Sequence, residues 1–133
     1  MTENLYALFE SRFPADRGAT FLDALDGRVF SYADLEDWTG RLSRLLDKTG
    51  VGLGDRVLVQ VEKSPAAVML YLACLRHGAV FVPLNTAYTA REVAFFIADA
   101  EPAVVVCDPA RLEETAELAG TAHVLTLDAA GQG

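Results

Sequence analysis

The chain has 133 residues, 52% of them hydrophobic, and carries 19 acids against 11 bases for a formal net charge of −8. Such a length and apolar content suit one packed core and exclude a disordered chain. The negative charge opposes a nucleic-acid or anionic-membrane partner, and it also disfavours a nucleotide site built wholly from these residues.

The longest apolar stretch, Ala66 to Leu75, is too short to span a bilayer, and the acidic start MTEN lacks the basic region of a signal peptide. A cytoplasmic location is expected. Cys74 and Cys107 show neither metal-ligand spacing nor a C-x-x-C motif. Both read as small buried hydrophobes in a reducing compartment.

The first predicted element is a short amphipathic helix over Asn4 to Phe13, with Leu5, Leu8 and Phe9 on one face. TFLDALDGRVFS then places two β-prone runs around Asp26-Gly27, a dipeptide suited to a type I′ hairpin turn. Ser31 follows as a helix cap, with Asp34 at N3 and the pair Phe30 and Leu35 as a hydrophobic staple. The helix is expected over Tyr32 to Lys48, with Leu35, Trp38, Leu42 and Leu45 inward, Asp37 paired to Arg41, and Gly50 as its left-handed stop.

From Arg56 onward short apolar runs alternate with helices. RVLVQV is a strand; Ser64 and Pro65 cap a helix over AAVMLYLACLRHG, which Gly78 closes; AVFVP is the next strand. A helix from Thr89 to Ala100, the strand AVVVC, a helix from Asp108-Pro109 to about Leu118 and the strand HVLTL complete the series, and DAAGQG reads as a loop. Strands alternating with helices imply parallel pairing through right-handed crossovers, and a run such as Val104 to Cys107 implies burial on both faces. The fold class is therefore α/β: an N-terminal hairpin and helices, then a mostly parallel, doubly wound β-α-β-α-β-α-β sheet. The helix from Pro65 to Arg76 has no polar stripe and wants cover all round, which one sheet cannot supply. Its expected partner is either the remainder of a longer polypeptide or a second copy meeting it through a self-associating apolar face.

GVGLGD, Gly50 to Asp55, looks like a dinucleotide fingerprint in the wrong place, since its glycines follow a helix and precede a strand. Walker A, H-E-x-x-H and G-x-S-x-G motifs are absent. His77 reads as a partner of its helix C-terminus, and His123 begins a strand. Glu62 and Asp108 follow strands, where ligands of open α/β sheets gather. Asp108 imitates the acceptor of a receiver domain, but no lysine follows Lys63, and Asp108 before Pro109 is more economically a helix cap.

VPLNTAYTARE holds the clearest local design. Thr89 and Glu92 form a capping box and Tyr88 with Val93 a staple, while Pro83 ends the strand and Asn85 and Thr86 can bond their own backbone. The result is a stiff joint at the ligand-bearing edge of the sheet.

Together, FSYADLEDWTGRLSRLL and the continuous stretch from GVGLGDRVLVQVEKSP through AVFVPLNTAYTAREVAFFIADAEPAVVVCDP resemble the N-terminal region of an AMP-forming acyl-CoA synthetase of the adenylate-forming superfamily. VQVEKSP and VPLNTAYT are most similar to malonyl-CoA synthetases, and the resemblance covers about Leu5 to Val124. It implies ATP-dependent activation of a carboxylic acid through an acyl-adenylate, followed by thioester formation, with ATP, Mg and coenzyme A used by the full-length enzyme. It further implies that 1–133 is a partial N-terminal subdomain of an AMP-binding domain, incomplete within a larger layered α/β domain. Within it, 1–55 supplies helix, hairpin and helix, 56–128 the βα repeats, and 129–133 a loop-like end.

The family's phosphate loop, Thr-Glu motif, ribose-binding Asp, hinge and C-terminal lysine have no counterpart in these residues. No catalytic, cofactor-binding or metal residue is therefore carried over, and small-molecule substrates are expected to bind only through residues outside the chain. Asn85, Thr86 and Tyr88 are expected to buttress an active site supplied elsewhere. Two other readings stand beside this one: a stand-alone flavodoxin- or receiver-like binding or regulatory domain, and the start of an assembly-line adenylation domain.

Overall fold

Four of the apolar runs become neighbouring strands of one parallel sheet. In the computed structural model, which describes residues 5–23 and 29–127, the chain order is α1 (Leu5–Glu10), β1 (Thr20–Asp23), β2 (Val29–Ser31), α2 (Tyr32–Lys48), β3 (Arg56–Gln60), α3 (Pro65–His77), β4 (Val80–Pro83), α4 (Ala90–Ala100), β5 (Val104–Cys107), α5 (Leu112–Leu118) and β6 (His123–Thr126). The sheet order is β4-β3-β5-β6, with every pair parallel. β1 and β2 pair antiparallel as predicted. Their expected turn at Asp26-Gly27, the side chains of Leu5, Leu8 and Phe9, and the DAAGQG end lie outside the described residues.

Alternation along β3 and β5 divides the core. Val57, Val59, Val104 and Val106 face Leu70 and Cys74 of α3 and Leu46 of α2. Leu58 and Val105 face the opposite layer, where α4 contributes Val93 and Ile97. β5 is buried at every position, which explains its unbroken apolar run.

The capping chemistry appears as the residues dictate. Ser31 Oγ accepts from Asp34 N–H at 3.0 Å, and Asp34 Oδ2 accepts from Ser31 N–H at 2.9 Å. Such a cap stabilises by about 1 kcal/mol. At the other end Gly50 takes φ 85°, Gly50 N–H donates to Asp47 O and Val51 N–H to Leu46 O, both at 3.0 Å. This pair of bonds is a Schellman stop, with its hydrophobic contact made by Val51 and Leu46 in the same cluster. Leu46 is buried and Leu45 is 39% exposed, so the inward stripe of α2 runs through Leu46 where the sequence reading placed Leu45. The 3.6-residue period has drifted by one position over the length of the helix. Asp37 and Arg41 form the expected ion pair on the exposed side.

α3 receives much of its cover from within the chain. Met69 and Leu72 pack with Tyr6 of α1 and Leu35 of α2, while Leu70 and Cys74 rest on the sheet. Val68 and Tyr71 stay outside, 37% and 41% exposed. The all-round demand of this helix thus narrows to one strip. A second difference lies after β5: Pro109–Arg111 is a 3-10 turn, and α5 starts only at Leu112, because Asp108 caps that tight turn alone. Among the described residues no helix is long and apolar enough to cross a membrane.

Candidate functional site at the carboxyl edge of the sheet

β3 is central, β4 lies on one side of it and β5 on the other, so the winding direction changes between β3 and β5. Ligands of such sheets collect outside the strand ends at that switch point. Three connections meet there: residues 61–64, 84–89 and 108–111.

The middle connection is built as its sequence promises. Leu84 N–H donates to Val59 O at 2.8 Å, carrying the parallel ladder past Pro83, which has no N–H. Asn85 Oδ1 accepts from Ala87 N–H at 2.8 Å, and Asn85 O accepts from Tyr88 N–H at 3.1 Å. Tyr88 stacks on Phe96 with centroids 5.3 Å apart and planes 12° apart, and Thr89 with Glu92 closes the capping box. Of the three expected buttress residues, Asn85 shapes the turn, Tyr88 anchors it to α4, and Thr86 offers its carbonyl.

Two residues the sequence reading did not single out tie this loop to its neighbours. Gln60 Nε2, at the end of β3, donates to Asn85 O at 3.1 Å and to Tyr88 O at 3.4 Å. Arg111 donates through Nη2 to Thr86 O at 2.7 Å and through Nη1 to Tyr88 O at 3.3 Å. Gln60 had a readable signal, being the one polar residue among the four buried positions of β3. Arg111 had none, since its role depends on the 3-10 turn.

The remaining candidates are engaged elsewhere or lie at the surface. Asp108 Oδ1 accepts from Ala110 N–H at 2.9 Å. Glu62, Lys63 and His123 are exposed. His77 Nε2 donates to Val51 O at 2.6 Å, and Nδ1 shares a hydrogen bond of 3.0 Å with Ser43 Oγ. This ring stitches α3 to α2 and the following turn. GVGLGD is a turn, in which Asp55 Oδ2 accepts from Gly52 N–H at 2.7 Å and Gly54 N–H donates to Gly78 O at 2.8 Å. Burial pushes the Cys74 thiol up to about 12. Burial also raises Cys107, against a lowering hydrogen bond with Thr115. Both stay protonated near neutral pH and are poor nucleophiles. Among the described residues no group of three or more His, Cys, Asp or Glu could hold a metal ion. Among the described residues Arg111 is committed to carbonyls, and no step of Mg-nucleotide chemistry is assigned to them.

Beside this edge a groove of about 340 Å³ opens between α3 and β4, its apolar walls formed by Val61, Ala67, Val68, Tyr71, Phe81 and Leu84, with Lys63 and Ser64 also lining it. Tyr71 meets Phe81 edge-on at 5.1 Å.

The family described as AMP-binding enzyme matches residues 9–132. The whole chain superposes on crystal structures of MatB from Rhodopseudomonas palustris, apo and ATP-bound, with a TM-score of 0.94 and 42% identity. A 3-hydroxybenzoate–CoA/4-hydroxybenzoate–CoA ligase from Thauera aromatica is 38% identical over 93 residues, 70% of this chain. Malpinin synthetase from Mortierella alpina is 34% identical over 121 residues, 90% of this chain. The chain spans 27% of the MatB structures, 18% of the Thauera ligase and 2% of malpinin synthetase.

Proposed function

The chain belongs to the AMP-binding enzyme family, and from that premise we propose that it is the N-terminal segment of an ATP-dependent acid–CoA ligase acting on malonate. The observation that carries this reading is the superposition of the full chain on MatB, a protein also crystallised with ATP bound. The similarity to an aryl acid–CoA ligase supports the reaction class. The choice of malonate rests on the segments VQVEKSP and VPLNTAYT.

In such a ligase the acid's carboxylate attacks the α-phosphate of ATP, releasing pyrophosphate and leaving an acyl-adenylate. The thiolate of coenzyme A then displaces AMP to give the thioester. Donors preorganised around the phosphates carry most of the rate enhancement in chemistry of this kind, and in this reading they come from outside the described residues. Its role is structural: it fixes the carboxyl edge of one sheet and offers the α3–β4 groove to the remainder of its own polypeptide. Covering Val68 and Tyr71 there stabilises by up to roughly 1.5–3 kcal/mol for each fully buried apolar side chain.

The test uses two proteins. Residues 1–133 alone should release no pyrophosphate from ATP with malonate, whereas the polypeptide encoded with them should form malonyl-CoA. Turnover by 1–133 would overturn the structural role, and a preference for another acid would overturn malonate. The match across 90% of the chain to malpinin synthetase favours a second reading, the opening of an assembly-line adenylation domain. Pyrophosphate exchange driven by an amino acid and not by malonate would select it.

A further inference from the structure

The loop after β4 is turned by its own bonds, but two such bonds over four residues hold it neither closed nor in place on the sheet without contacts from outside. Asn85 Oδ1 to Ala87 N–H and Asn85 O to Tyr88 N–H close the turn locally. Beyond the Leu84 N–H bond to Val59 O and the Tyr88 ring, the loop backbone is held from outside through the carbonyls of Asn85, Thr86 and Tyr88, each of which accepts from Gln60 or Arg111. The two donors come from different places: Gln60 ends β3, and Arg111 stands where the 3-10 turn after β5 meets α5. The loop is thereby fastened across the switch point to the strand on either side of it.

Each donor has a reason to hold. Gln60 is 3% exposed, so its amide would lose its acceptors in the interior if the loop moved away. Arg111 has φ −105° and ψ 7°, outside the helical range, and this break in the backbone accompanies the reach of its guanidinium to Thr86 and Tyr88. Its bonds are charge-assisted and span two carbonyls with one planar fork, which a lysine ammonium does not reproduce.

We infer that Gln60 and Arg111 are positioning residues that hold the backbone of residues 85–88 in one place relative to β3 and β5, so that the loop presents a fixed polar surface at the carboxyl edge. That this surface faces an active centre rests on the ligase reading above; the clamp itself is measurable on the chain without substrate, so either idea can fail alone.

The experiment is residue-resolved amide hydrogen exchange on the 133-residue chain, comparing Ala87 and Tyr88 with the core amides of Leu58 and Val105. Arg111→Met and Gln60→Leu should each speed exchange at Ala87 and Tyr88 by roughly tenfold or more, while the core amides change by less than about twofold. Arg111→Lys, which keeps the charge and is the milder variant for folding, should exchange like Arg111→Met at the loop. Unchanged loop exchange, acceleration spread equally over loop and core, or full rescue by lysine would each overturn the inference.

Discussion

Gly50 and Gly78 offer a controlled pair of perturbations, because both sit at nearly the same left-handed geometry, φ 85° and 86°, with different surroundings. A Cβ at position 50 meets nothing within 4 Å, whereas one at position 78 runs into Leu53 Cδ1. The left-handed strain of Gly50→Ala or Gly78→Ala is about 1–2 kcal/mol. Leu53 is 77% exposed, so its side chain can turn away, adding on the order of 0.5 kcal/mol for an imperfect rotamer. Both variants should therefore lose similar stability, equivalent to a fall in melting temperature of roughly 3–8 °C. Urea unfolding followed by the fluorescence of Trp38, the only tryptophan, measures the difference directly. A loss above about 4 kcal/mol for Gly78→Ala alone would show that Leu53 cannot move. No loss in either variant would refute the left-handed geometry itself.

Thr89→Ala removes the oxygen that accepts from Glu92 N–H at 3.3 Å and should cost about 1 kcal/mol, measured by the same unfolding curve; a neutral result would mean that the capping box adds nothing to the staple. Both cysteines are buried, so Ellman's reagent at pH 8 should label neither in the native chain and both in urea; fast native labelling would contradict their burial. The raised Cys74 thiol also fixes a pH response. Its contribution to stability is complete below the ordinary value of 9.0 and is lost as pH rises toward about 12, because the unfolded thiol releases its proton first. A stability curve that Cys74→Ala leaves unchanged between those limits would refute that assignment. On the proposed ligase reading, Tyr71→Asp should lower binding of 1-anilinonaphthalene-8-sulfonate by 1–133 and destabilise the proposed longer polypeptide more than the isolated chain; equal losses in both would remove the groove as a docking surface.

Residues whose partners lie close in sequence were the legible ones. Ser31 with Asp34, Thr89 with Glu92 and Ser64 with Pro65 fixed three helix starts, and the apolar runs at Arg56, Ala79, Ala103 and His123 fixed the four parallel strands. Where partners are distant, the pattern misled or was silent. Leu45 and Leu46 compete for one inward position, and the orientation of α2 against α3 and the sheet decides between them. The cover that α1 and α2 give to α3 cannot be read from α3 alone. At the candidate site, Asn85 and Tyr88 were visible through turn and staple chemistry, while Gln60 acts 25 residues before Asn85 and Arg111 acts 25 residues after Thr86.

The central place of β3 constrains the order in which the sheet can be completed. It leaves the ribosome before both of its neighbours; β4 joins one edge, and the other stays bare until β5 has crossed over through α4. A nascent chain halted between Gln60 and Cys107 therefore exposes part of an uncharged Val-Leu-Val edge to any other strand in reach, a template for mispairing. Premature termination in this interval should drive aggregation, whereas a stop just after β5 leaves the central strand paired on both sides.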